Sequence, residues 1–159
     1  MLSLFVSHIR PLIDYCSCVW NVGYLVDLRR LESLQRRWTR EVSIVGSLDY
    51  VSRLRELGLY SVSGRLLRAD LIKVWKILSC GEDSDLSVLF EMGLSSRTRG
   101  HALKLAVPAC RTDVLRRFLG ARRVLLWNAL PAEIVECDSL TVFKRGLDRV
   151  LGDKLFEVF

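Results

Sequence analysis

At 159 residues, half of them hydrophobic, the chain is long enough for one domain or two small ones and rich enough to close a core, which excludes disorder by composition. A formal charge of +6 favours an anionic partner, and the charge is concentrated: residues 97–123 hold eight bases against Asp113 alone, whereas residues 81–96 hold four acids and no base. Cys16, Cys18, Cys80, Cys110 and Cys137 are odd in number and mostly far apart, with no secretory leader before them, so a reducing, intracellular setting is expected, nucleus or cytoplasm.

The apolar opening lacks a positive n-region and is interrupted by His8, Arg10 and Pro11, so no membrane segment is expected. From Leu4 to Trp20, the positions Phe5, Ile9, Leu12, Cys16 and Val19 recur at helical spacing, predicting an amphipathic helix that Pro11 bends or divides. A second helix is predicted from about Asp27 to Val42, with Leu28, Leu31, Leu34, Trp38 and Val42 inward. Arg29, Arg36 and Arg40 stack along another line, with Arg30 and Arg37 beside them; that face suits an anion, and it equally suits plain solvation.

A short helix from about Tyr50 to Leu57 should stop at Gly58 in a left-handed cap. A longer one from about Ser63 to Leu78 has Leu67, Leu71, Val74 and Leu78 inward and Arg65, Arg68, Lys73 and Lys76 outward. Residues 82–101 are polar and without sustained period, the composition of a linker. Leu103, Leu105 and Val107 alternate with Lys104 and Ala106 before Pro108, which predicts a short edge strand.

The pattern then predicts a helix from about Asp113 to Asn128, capped by Thr112 and stopped by Pro131. Its stripe is Val114, Phe118, Ala121 and Leu125, widened by Leu115, Leu119 and Leu126, with Arg116, Arg117, Arg122 and Arg123 elsewhere on the circumference. Trp127 reads as core rather than as a stacking platform. Pro131 can open a short helix through Glu136, and Asp138 or Ser139 can cap a last helix facing Leu140, Phe143, Leu147 and Val150 inward.

The fold class expected is mainly α, a helical bundle of about six helices with at most a short strand or hairpin. Its divisions are a helical domain over 1–81, a linker with a short strand over 82–110 and a helical region over 111–159. Two histidines, no Cys-x-x-Cys, no phosphate-cradling glycine loop and no Gly-x-Ser-x-Gly elbow point to no cofactor, metal or catalytic group. Asp14, Asp70 and Asp148, isolated acids on predicted helices, read as surface or cap residues.

Several segments taken in order carry a resemblance. They are Ile9-Arg10-Pro11-Leu12-Ile13-Asp14-Tyr15-Cys16 with Val19-Trp20, Leu31-Glu32-Ser33-Leu34-Gln35-Arg36-Arg37, and Arg53-Leu54-Arg55-Glu56-Leu57-Gly58-Leu59. Arg68-Ala69-Asp70-Leu71-Ile72, Lys76-Ile77-Leu78, Ser96-Arg97-Thr98-Arg99-Gly100-His101 and Cys110-Arg111-Thr112-Asp113 continue the series, which Leu126-Trp127-Asn128-Ala129-Leu130-Pro131 and Phe143-Lys144-Arg145 close. Together they resemble the C-terminal part of LINE-type, non-LTR retrotransposon reverse transcriptases, the jockey-like group in particular. Trp38 departs from the small residue the family tends to carry, and the loop at residues 44–48 is shorter.

The resemblance implies a thumb and the region after it, parts that hold template and primer behind an RNA-directed DNA polymerase active site. It implies RNA or an RNA–DNA hybrid as partner, together with the palm and fingers of the parent polymerase. It does not supply catalysis, because the family's paired palm aspartates have no counterpart in a sequence without an Asp-Asp pair. The residues expected to touch phosphate are Arg29, Arg36, Arg37, Arg40, Arg97, Arg99, Arg111, Arg116, Arg117, Arg122 and Arg123, since guanidinium groups on rigid helices neutralise backbone charge without reading sequence. The competing expectations are a helical protein-interaction module and a retrotransposon-derived remnant with no selected function.

Overall fold

The computed structural model describes residues 2–42, 44–80, 88, 90–93 and 100–158, and the chain is mainly helical. It forms two compact units, one of Met1–Ala69 with Leu151–Phe159 and one of Asp70–Val150. The division therefore falls within a long helix rather than at residue 81, and the last residues belong with the first unit.

In the first unit, Leu2–Leu4 runs into a π turn, Phe5–Ile9, and then into α1, Arg10–Asp14. The Arg10 N–H donates to the Phe5 carbonyl, one residue further back than in an α-helix, and Pro11 lies in the first turn of α1, where a missing donor costs nothing. The helix breaks not at Pro11 but at Cys16, which is left-handed with φ 49°, and α2 follows at Ser17–Trp20. The wide turn rotates what comes after it. Phe5, Ile13, Ser17 and Asn21 are buried, while Leu12, Cys16 and Val19, expected inward, are exposed.

The helix α3, Leu25–Arg40, corrects the predicted stripe in the same way. Its buried residues are Leu28, Glu32, Gln35 and Thr39, whereas Leu34 is exposed. Polar groups tolerate burial when they are bonded, and all of these but the Gln35 side-chain oxygen are: Tyr50 Oη donates to Glu32 Oε1, the Val62 N–H donates to Glu32 Oε2 at 2.9 Å, Gln35 Nε2 donates to the Tyr60 carbonyl at 2.9 Å, and Thr39 Oγ1 donates to the Arg36 carbonyl at 3.1 Å. Tyr50 opens α4, Tyr50–Glu56, whose first turn is capped by Asp49 accepting from the Ser52 N–H and whose end meets Gly58 at φ 61°. Val62 opens α5, Val62–Cys80. Glu32 thus ties three helices through one carboxylate.

Ile13, Leu28, Val62 and Leu66 form one apolar cluster, and Tyr50, Leu54 and Leu59 another, with Phe156 and Val158 against it. The Leu155 carbonyl accepts from both the N–H and the hydroxyl of Ser61. At Gly64 a Cβ would lie 2.3 Å from that same oxygen, so only glycine admits the approach. Arg65, expected outside, is buried with Nε 2.7 Å from Asp14 Oδ1; burial pushes its pKa down and Asp14 opposes the shift. Asp14 is therefore an ion-pair partner and not a lone surface acid.

In the second unit, the predicted helix over 113–128 is three short ones, α6 at Asp113–Arg117, α7 at Leu119–Arg122 and α8 at Val124–Asn128. Phe118 is extended at ψ 152° and Arg123 leaves helical geometry at φ −113°. The breaks turn Leu119, Val124 and Trp127 inward, and leave Val114, Leu115, Phe118 and Leu125 exposed. Thr112 does cap the first of these helices, accepting from the Leu115 N–H. Next come α9, Ala132–Val135, and α10, Leu140–Leu151, where Ser139 accepts from the Val142 N–H, Phe143 and Leu147 are buried and Val150 is exposed.

Trp127 is core. Its Nε1 donates to the Leu103 carbonyl at 2.7 Å, and its ring lies 6.2 Å from Phe143 and 5.8 Å from His101. The predicted strand over 103–107 is reduced to one antiparallel bridge, Met92 to Leu105, among the described residues. Asn128 takes the place of a neighbouring strand on its other edge, accepting from the Leu105 N–H at 2.9 Å and donating to the Leu105 carbonyl at 2.8 Å.

Burial raises the Glu32 pKa above the ordinary 4.5, while the hydrogen bonds from Tyr50 and Val62 hold it back. A carboxyl whose folded pKa is raised contributes stability below its unfolded pKa and loses that contribution as pH rises through the folded one. In urea melts over a pH series, Glu32→Gln should cost about 1–3 kcal/mol at the acidic end for the missing acceptor, and the gap to the parent chain should narrow as pH rises.

Candidate nucleic-acid interface

Arg29, Ser33, Arg36 and Arg40 follow one another at spacings of three or four along α3, so they share a face, with Arg37 beside it, and all five are exposed. This face flanks the buried line of Leu28, Glu32, Gln35 and Thr39, about 100° round the helix from it. Among the described residues none of the four arginines has an ion-pair partner. The Arg36 guanidinium rests 4.8 Å above the Tyr50 ring, whose hydroxyl is held by Glu32. Two neighbouring grooves open here: one of about 240 Å³ lined by Arg29, Glu32, Ser33, Arg36 and Val158, the other of about 390 Å³ lined by Ser33, Arg36, Arg37, Arg40 and Glu41. Their shared walls are Ser33 and Arg36. Each groove also has one carboxyl in its wall, Glu32 in the first, where both oxygens accept hydrogen bonds from Tyr50 and Val62, and Glu41 in the second.

Arg97 and Arg99 lie outside the described residues. Arg111 and Arg116 are exposed in the second unit, Arg117 is half-buried, and Arg116 approaches Asp113 at 3.6 Å across exposed surface.

Arg122 and Arg123 have a structural role instead. Asp70, expected as a surface or cap acid, is fully buried; Arg122 reaches both of its oxygens, with Nη2 2.7 Å from Oδ1 and Nε 3.0 Å from Oδ2, and Arg123 Nε lies 2.8 Å from Oδ2. Adjacent residues on a continuous helix point about 100° apart, so the break at Arg123 is what lets both side chains converge on one carboxylate. Asp70 lies more than fifty residues earlier in the chain, where no local pattern announces it.

Sequence reasoning missed Tyr50 as the support for Arg36 and Ser33 as a wall common to both grooves. A signal for Ser33 was its four-residue step from Arg29; none existed for Tyr50. Among the described residues, no three His, Cys, Asp or Glu side chains come together to hold a metal ion, and no helix is long and apolar enough to cross a membrane. No family model, no curated protein and no solved structure matches the chain.

Removing the Asp70 charge leaves two largely buried guanidinium groups facing a neutral amide. Asp70→Asn should therefore destabilise the fold by about 3–5 kcal/mol in denaturant melts, far more than Asp113→Asn at the exposed pair, which should stay within about 1 kcal/mol.

Proposed function

We propose that this chain binds the sugar–phosphate backbone of RNA or of an RNA–DNA hybrid through the exposed face of α3, as the non-catalytic C-terminal part of a LINE-type reverse transcriptase. The observation that carries the reading is the run of Arg29, Arg36 and Arg40 on one helix face, with Arg37 beside it, without carboxylate partners among the described residues, backed by a buried polar network that fixes the helix. The ordered series of reverse-transcriptase-like segments supports the choice of nucleic acid as the anion. In this reading, two-metal phosphoryl chemistry belongs to the palm of the parent polymerase. Arg111, Arg116 and Arg117 would add phosphate contacts from the second unit, and Arg122 and Arg123 would not.

A second reading, a protein-interaction module, draws on Leu12, Tyr15 and Val19, which are large, exposed and close in sequence. Concentration-dependent self-association without nucleic-acid affinity would favour it.

Replacing Arg29, Arg36, Arg37 and Arg40 with glutamine should flatten the slope of log affinity against log salt by about 0.7 to 0.9 for each phosphate no longer neutralised, with the fold retained. The same replacement of Arg111, Arg116 and Arg117 tests the second unit separately. An unchanged slope in the folded α3 variant removes the proposed role of that helix.

A further inference from the structure

We infer that the stretch of nucleic acid lying on α3 is a single strand with unpaired bases, which stack on Tyr24 and Trp20 at the N-terminal end of the helix. The inference rests on the backbone-binding reading above and specifies its ligand.

Three observations converge on it. First, the basic face is elongated: Arg29, Arg36 and Arg40 follow the helix axis with Arg37 beside them, and its two grooves adjoin, share Arg36 and succeed one another along the helix. Such a row follows the phosphates of one strand.

Second, the same face continues from Arg29 to Leu25, four residues earlier, and there its chemistry changes from basic to apolar. Leu25 is 48% exposed and the neighbouring Val26 59% exposed. From Leu25 to Arg40 the face extends about 22 Å at 1.5 Å per residue, room for the roughly four or more nucleotides a single-strand site covers. A duplex keeps its bases stacked inside and would bring only charge and water to the apolar end. An unpaired strand brings base faces that cover it.

Third, two exposed aromatic rings lie within five residues before Leu25 in the chain. Tyr24, immediately before α3, is 48% exposed, and Trp20, the last residue of α2, is 38% exposed. The Trp20 indole N–H donates to the Tyr15 carbonyl at 2.8 Å, which fixes the ring before any ligand arrives and lowers the entropy lost on binding. A basic track combined with exposed rings is the arrangement that binds single strands without reading sequence, because every base offers a π face.

The test uses the full chain and a labelled mixed-sequence RNA oligonucleotide, presented unpaired or annealed to its complementary DNA, with fluorescence anisotropy over a salt series. The unpaired RNA should bind at least about tenfold more tightly than the hybrid, and Tyr24→Leu and Trp20→Leu should each weaken it by about 5- to 150-fold without changing the salt slope. Tyr24→Phe, which keeps the ring, should bind like the parent chain. Should a leucine variant lose its helical far-UV spectrum, indole quenching by unpaired RNA decides the matter: quenching abolished in Trp20→Phe supports the stacking, and quenching that persists there overturns it.

Hybrid binding equal to or tighter than single-strand binding, or folded leucine variants that bind like the parent chain, overturns the inference and leaves the basic face of α3 in place. An absence of salt-dependent binding to both forms removes the face and the inference together.

Discussion

The Glu32 carboxylate is the constraint on which the first unit depends. A charged group in the interior must be bonded or it destabilises the fold by several kcal/mol, and this one accepts from a tyrosine hydroxyl on α4 and from the first amide of α5. Those two bonds set the rotation of α3 about its own axis. With Glu32, Gln35 and Thr39 inward, Arg29, Arg36 and Arg40 come about 100° further round the helix, on the flank of the buried line, Arg37 lies further round still, and all four are exposed. The position of the exposed basic surface thus follows from where the buried polar line falls, and Tyr50 links the two by bonding Glu32 with its hydroxyl and supporting Arg36 with its ring.

The same logic explains what was legible in the sequence. Signals that act within a turn of the chain were readable: the cap at Thr112, the left-handed Gly58, the cap at Ser139 and the presence of helices around residues 30, 53 and 70. Apolar periodicity located α3 but misplaced its inward face, because a hydrophobic stripe cannot register Glu32, Gln35 and Thr39 as interior residues until their partners at positions 50, 60 and 62 are known. It also joined α6, α7 and α8 into one helix, since every residue from 113 to 128 except Gly120 tolerates helical geometry. The breaks come from tertiary demands, namely the two arginines meeting on Asp70 and Trp127 reaching the Leu103 carbonyl.

Charge counting along the chain ranked residues 97–123 as the most basic segment, and the structure redistributes that excess. Each unit contains an aspartate between two arginines: Asp14 with Arg10 and Arg65 in the first, Asp70 with Arg122 and Arg123 in the second. Arginines committed in this way orient helices and offer little to a ligand. What remains for a ligand is set by which guanidinium groups lack a carboxylate, a property of the folded chain that a running sum of charges does not contain.

The return of the last residues to the first unit has a consequence for how the chain is made. Ser61 and Gly64 meet the backbone of Leu155, so part of the wall of the first unit is supplied from ninety residues downstream. During synthesis from the N-terminus, Asp70–Val150 is complete before that wall exists, and the second unit can close while the first still waits, its helices formed but one side open. Loop-closure entropy grows only slowly with length, so the delay costs little free energy once the chain is finished. It does cost time: for the interval in which residues 70–150 are being added, Gly64 and its neighbours at the start of α5 are uncovered, and a nascent chain arrested there would present an incomplete first unit to whatever surrounds it.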